Sequence, residues 1–422
     1  MTRPARPGGA SPHARGEVMS QADLLDSRTA WLRLAAIVAL STIGGVGMWS
    51  VIVALPYVQA EFGISRGAAS VPYTLTMLGF GAGGILMGRL TDRLGPMKPL
   101  LGATLMLAAG YALAGLAPSI TVYTVAQGLL IGMLGASAAF APLVAEASLW
   151  FRRRRGIAVA IAASGNYLAG AVWPPVLSWL IGAYGWRTAH LVVGAICLVT
   201  MLPLALLLRA RAPGTHGGGL QKDAGEGRPF GLSPTGATVV LSTAGIACCV
   251  AMAMPQVHIV AYCGDLGYGV ARGAQMLSLM LACGIASRLA SGLIADRIGG
   301  LRTLLLGSVL QGLALSLFLF FDGLASLYTL SALFGLVQGG IVPSYAVIVR
   351  ESFPASEAGT RVGIVLMATL VGMALGGWLS GVIFDATGSY AAAFLNGVAW
   401  NMANVLIVTT LLLRRRARLA TA

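Results

Sequence analysis

An eight-residue loop occurs twice, 204 residues apart: Gly88-Arg-Leu-Thr-Asp92-Arg93-Leu-Gly95 and Gly292-Leu-Ile-Ala-Asp296-Arg297-Ile-Gly299. Each copy follows one long apolar stretch and precedes another. Other landmarks keep nearly the same offset: Glu61-Phe-Gly63 matches Asp265-Leu-Gly267, and Gly185 precedes Gly388 by 203 residues. A chain that repeats itself this way in apolar surroundings is a duplicated membrane bundle.

Composition agrees. Hydrophobic residues make up 57% of the 422 residues and charged residues only 10%. A water-soluble protein of this size has no use for so much apolar surface. A helix needs roughly 20 residues to cross a bilayer, and the apolar stretches supply spans near 33–57, 68–90, 99–117, 120–149, 155–182, 187–209, 235–262, 271–294, 301–320, 325–350, 359–385 and 389–413. The expected fold is therefore an all-α membrane protein of twelve transmembrane helices in two pseudo-symmetric six-helix bundles.

The net charge of +14 invites a nucleic-acid partner, but its placement argues against one. With both termini set in the cytoplasm, every Lys and Arg falls on that side except Arg66, Arg187 and Arg272 outside and Arg288 within a span. This is the positive-inside pattern of an inner-membrane protein, so the basicity orients insertion.

Residues 1–30 lack an apolar core and read as a disordered cytoplasmic tail, not a signal peptide. The bundles are expected at 31–209 and 235–413. A Gly- and Pro-containing cytoplasmic linker joins them at 210–234, and a basic tail follows at 414–422. The five cysteines are odd in number, fit no metal spacing and lie in or beside spans, where they act as small packing residues. No cofactor or metal is expected, nor any enzymatic activity: no nucleophile–base pair or phosphate loop stands out. Glycine is abundant, and the pair Gly165 and Gly170 and the run Gly372, Gly376, Gly377, Gly381 predict close helix contacts in the fifth and eleventh spans.

The paired Gly-x-x-x-Asp-Arg-x-Gly loops resemble the signature of the major facilitator superfamily, over roughly residues 31–413. The resemblance implies secondary transport by alternating access, with the substrate held between the bundles. It implies that Asp92 and Asp296 brace helix ends at the cytoplasmic face, and that Arg93 and Arg297 join ion pairs holding the outward-open state. A narrower resemblance, to the monocarboxylate transporter and oxalate/formate antiporter branch, rests on Trp150-Phe151-Arg152 through Ala158 with Gly165 and Gly170, on Tyr184-Gly185-Trp186-Arg187, and on Asp385-Ala-Thr-Gly388-Ser-Tyr390.

Arg288 is the one basic residue well inside a span, about 12 Å up the helix from Asp296. A charge at that depth needs water, a partner or an anion. Its neighbours one turn away are Gly284 and Gly292, which predicts a small, open face. A guanidinium carries paired N–H donors that match a carboxylate, and by resemblance an Arg of the eighth span binds the substrate carboxylate. Two departures bear on coupling. Gly284 stands where mammalian-type members carry a carboxylate, and the first span lacks their Lys. The eleventh span also lacks the second cation of the oxalate-type antiporter, which favours a monoanion.

Gln338, Asn166 and Tyr167 are further substrate-binding candidates, being polar groups near mid-span. His258 is the candidate for proton coupling. Asp265 reads as a helix-start residue, and Glu146 and Arg350, again 204 apart, as parts of the cytoplasmic gate. The expected protein is a monomeric carrier of a small organic anion in the lipid bilayer, with protons as a candidate coupling ion. Its alternatives are an exporter of hydrophobic drugs and a sensor that has lost transport. The fifth span, Gly165 to Pro174, departs from the Gly-Pro-containing motif of drug exporters.

Overall fold

The computed structural model describes residues 25–209 and 229–421. Most of the expected N-terminal tail, and the linker up to residue 228, lie outside the described residues. Among the described residues, eleven helices are long and apolar enough to cross a membrane. One of them is two: at Gly185, φ is 78° and ψ 158°, a backbone conformation that a side chain strains. The chain turns back there, giving twelve crossings among the described residues.

In chain order the helices are α1 (Arg28–Phe62), α2 (Arg66–Leu94), α3 (Met97–Gly115) and α4 (Ile120–Leu149). Next come α5 and α6, the arms of Gly156–Leu206 before and after Gly185. Then follow α7 (Pro234–Asp265), α8 (Val270–Ile298), α9 (Gly300–Leu317), α10 (Leu324–Ser352), α11 (Glu357–Thr387) and α12 (Tyr390–Ala417). An even number of crossings returns both ends of the described chain to one face, called here the terminal face; the opposite one is the far face. Large apolar side chains such as Val199, Leu313 and Leu406 are more than half exposed, as suits a surface solvated by lipid.

The boundaries differ from the sequence expectation where local chemistry extends a helix. The first helix begins at Arg28 because Ser27 caps it, its hydroxyl accepting from the Ala30 N–H at 3.3 Å. Asp26 precedes the cap and accepts from the backbone N–H groups of Arg152, Arg153 and Arg154 at 3.1, 3.0 and 3.4 Å. The Arg153 N–H in particular holds its carboxyl below the ordinary value of 3.8. The last helix runs on to Thr421, so the expected basic tail continues α12. Where the linker ends, Pro229 and Phe230 are buried in a tight turn before α7.

Two seams join the bundles: α2 packs against α11, and α5 against α8. Both depend on the glycines picked out in the sequence. A Cβ on Gly381 would lie 2.9 Å from the Arg66 carbonyl oxygen, and one on Gly377 would lie 2.7 Å from the Tyr73 ring. The hydroxyl of Thr74 donates to the Ala374 carbonyl across the same seam at 3.1 Å.

Burial shows which face is closed. Every residue of α1 from Gly44 to Leu55 is buried, as is every residue of α7 from Ala247 to Cys263. Toward the terminal face the same helices open: Ala35, Val38 and Thr42 of α1 and Val239 and Thr243 of α7 are half-buried or exposed. The bundles therefore meet at the far face and part toward the terminal face.

Candidate functional site

One arginine ties the bundles together at the far face. Arg66, at the start of α2, is only 5% exposed. Its Nη2 donates to Asp265 Oδ2 at 2.9 Å, and its Nη1 donates to the Tyr390 hydroxyl, which itself donates to Asp265 at 2.6 Å. Asp385 adds a separate bond, accepting from the Arg66 and Gly67 backbone N–H groups at 2.8 and 2.7 Å. A carboxylate from one bundle thus sits on the positive helix end of the other. Asp265 lies at the end of α7 rather than at a helix start. Its counterpart Glu61 turns inward to its own bundle, bonding Trp186 and Arg187.

The α5–α8 seam descends from this closure in four steps. The Ser278 hydroxyl donates to the Ala171 carbonyl. Leu281 lies against Gly170, and the Tyr167 ring fills the space a side chain on Gly284 would occupy. Last comes Arg288, whose Nη1 donates to the Ala163 carbonyl at 2.8 Å. Beyond it a Cβ on Gly292 would meet nothing within 4 Å. Arg288 is thus the last tie before the bundles part.

Around Arg288 the chemistry is open-ended. It is half-buried, and among the described residues no carboxylate pairs with it. Its Nε lies 3.4 Å from the Gly339 carbonyl, and the guanidinium sits 4.3 Å from the centre of the Tyr167 ring. These neutral partners orient the cation and leave its charge unbalanced. Nη2 takes no protein acceptor among the described residues. The face expected to be vacant at Gly284 is instead the seat of Tyr167, so two of the candidate residues are in direct contact.

The remaining candidates are placed as follows. Gln338, fully buried, accepts from Gln256 Nε2 at 2.6 Å and leaves its own Nε2 without an acceptor. Gln256 was not singled out in the sequence, although a second amide at the same depth was the signal. Asn166 offers its backbone carbonyl to Trp49 Nε1 at 3.3 Å, and its side chain lies beside Gly45. His258 is buried above the site, its Nε2 2.8 Å from the Gly377 carbonyl and its Nδ1 without a partner.

Glu146 and Arg350 are not brought together. Glu146 binds Arg33 at 2.9 Å and Trp150 Nε1 at 2.8 Å within its own bundle, whereas Arg350 is exposed. Asp92, Arg93, Asp296 and Arg297 are exposed at the terminal face and join no ion pair among the described residues. On the terminal-face half of α1, Leu34, Val38, Thr42 and Ile43 of α1 and Ile161 and Leu168 of α5 line an almost wholly apolar groove of about 620 Å³.

The family model described as Major Facilitator Superfamily matches residues 37–325 and 239–421. Monocarboxylate transporter 13 of Bos taurus is 30% identical over 331 residues, 76% of this chain and 75% of that one. The agnestins efflux protein AgnL12 of Paecilomyces divaricatus is 24% identical over 327 residues, 76% of this chain and 73% of its own. In fold, the chain matches a bacterial homolog of the human lysosomal transporter Spinster in an inward-facing and occupied conformation. That match has a TM-score of 0.72 and 15% identity, covering 93% of this chain and 98% of the other. These relatives are membrane transporters and not enzymes, and the chain belongs to the major facilitator superfamily.

Proposed function

We propose that the protein carries a small organic monocarboxylate across the inner (plasma) membrane by alternating access, with both termini cytoplasmic, and that Arg288 anchors the carboxylate. One observation carries the reading: a half-buried guanidinium at the edge of the closed seam, held only by carbonyls and an aromatic face. A bound carboxylate supplies the missing negative charge. Among the described residues, Nη2 and the second N–H of Nη1 are free to take it on paired donors, so the anion binds with the Ala163 bond still in place.

With the terminal face cytoplasmic, this arrangement is inward-facing. Tyr167 sets one wall beside the anion, while Gln338 and Asn166 offer polar groups at similar depth. His258 is the candidate proton carrier, and exchange of one anion for another is the alternative mode of coupling. Asp92, Arg93, Asp296, Arg297, Glu146 and Arg350 belong to the gate that closes when the far face opens. Similarity to bovine monocarboxylate transporter 13 supports the substrate class. The second reading, export of a hydrophobic small molecule, is favoured by the apolar groove along α1 and by the fungal efflux relative.

The test is uptake of radiolabelled lactate, pyruvate, acetate and formate by the purified protein in liposomes, with and without a pH gradient. Arg288→Ala is expected to lower uptake by between about tenfold and a hundredfold, the worth of a charge-assisted hydrogen bond. Arg288→Lys is expected to retain part of it. Equal uptake by wild type and Arg288→Ala would sink the anchor and favour the exporter.

A further inference from the structure

We propose that the terminal face carries a binding site for the phosphate of an anionic glycerophospholipid, set between the start of α9 and the end of α12. The site is a recess of about 250 Å³ lined by Arg302, Glu351, Arg415 and Arg416, with Leu301 and Leu412 also in its wall. It shares no residue with the groove along α1 or with the surroundings of Arg288, and it does not depend on what is transported.

Charge is the first argument. Three guanidinium groups converge on a recess that contains one carboxylate, and that carboxylate is already used twice. Glu351 Oε1 accepts from the Gly300 N–H at 3.0 Å, and its Oε2 pairs with Arg415 at 3.3 Å. Arg302 and Arg416 are exposed and have no ion pair among the described residues. The recess therefore holds two uncompensated positive charges. Guanidinium groups match the tetrahedral oxygens of a phosphate and hold it on paired N–H donors.

Location is the second argument. Ile298, Leu301 and Leu412 belong to helices that cross the bilayer, and Ile298 is 39% exposed. Leu412 lies one turn deeper in α12 than Arg415 and Arg416, so arginines at the membrane surface stand over an apolar side chain, the order in which a lipid presents its headgroup and chains. Basic pockets between helices at this level suit anionic headgroups. A choline headgroup would add a cation to a site that is already positive. The first half lacks the device: Lys98 replaces Arg302, but Ala147 stands where Glu351 does and leaves nothing to fix the helix start.

The proposal is tested by native mass spectrometry of the full chain, delipidated in detergent and titrated with phosphatidylglycerol, phosphatidylcholine or glycerol 3-phosphate. Phosphatidylglycerol is expected to bind more tightly than phosphatidylcholine. The pair Arg302→Gln and Arg416→Gln is expected to weaken it about twenty-five-fold, at roughly fivefold per basic residue. Glu351→Gln is expected to act in the opposite direction and tighten phosphatidylglycerol. A fold that merely loosened would not do so, and monodispersity on gel filtration checks the variants. Equal binding of the two lipids, or unchanged binding in the double variant, overturns the site. Displacement of the lipid by glycerol 3-phosphate at equal concentration overturns the lipid as its source.

Discussion

Gly284 shows how little of a candidate site a single residue reveals in sequence. One turn before Arg288 it reads as space left for a ligand; in the structure that space is taken by Tyr167, 117 residues away in the chain. Adding one methyl group there drives the ring out and with it one support of the guanidinium. Gly284→Ala is therefore expected to raise the KM for the proposed carboxylate substrate severalfold while leaving folding intact, read from uptake kinetics beside a thermal melt. Arg288 itself was legible because charge at depth is rare and conspicuous. Tyr167 and Gln338 were legible as polar groups but not as neighbours of particular atoms, since period and depth say nothing about contacts between distant segments. Glu146 illustrates the same limit. Equal spacing in two repeats set it opposite Arg350, whereas the nearest unsatisfied cation in its own bundle was Arg33, 2.9 Å away.

At the level of elements, apolar length and the duplicated loop revealed all twelve crossings, yet not the irregularity inside α4. Ala126–Gly135 is a wide π-helical stretch followed by a tight 3-10 turn, Ala136–Ala139. The widened coil presses the Gly128 and Met133 carbonyls onto α2 at Gly79 and Gly83, where no side chain fits. Hydropathy cannot report such a departure, because the apolar pattern passes through it unbroken. Gly83→Ala is expected to destabilise the protein by about 1–3 kcal/mol, the usual cost of overpacking, seen as a lower melting temperature in detergent.

The clasp at Asp26 belongs to this level too, fastening the entry of α1 to the loop before α5. Asp26→Ala should expose the Arg152–Arg154 stretch to trypsin at several times the wild-type rate. The depressed pKa of Asp26 means its contribution is present above the ordinary 3.8 and is lost as pH falls through the lower folded value. Protection of these amides against hydrogen exchange, expressed relative to Asp26→Ala, should vanish over that window.

For the whole molecule, the two bundles are equivalent in topology but not in their locks. Arg66 binds the ends of α7 and α12 through its side chain, while Asp385 on α11 holds the helix end beneath it. These are separable bolts on one door. Asp385→Ala should leave the guanidinium contacts in place and still shift the population toward the far-open state. The readout is labelling by a membrane-impermeant maleimide of a cysteine introduced at Ser70, which is fully buried here; its rate should rise severalfold, and more when combined with Arg66→Gln. A rate unchanged in both would show that the far face is closed by packing alone.

That lock stands partly in water. Asp265 is 42% exposed where it meets Arg66, but the guanidinium is 6% exposed and the pair is 2.9 Å apart, well inside the Debye length of about 8 Å at physiological salt, so ions weaken its hold only slightly. The balance between closed and open far faces is then set in small part by the salt that bathes that side of the membrane. At high salinity on that side the door hangs a little looser, with no change in substrate, protein or voltage.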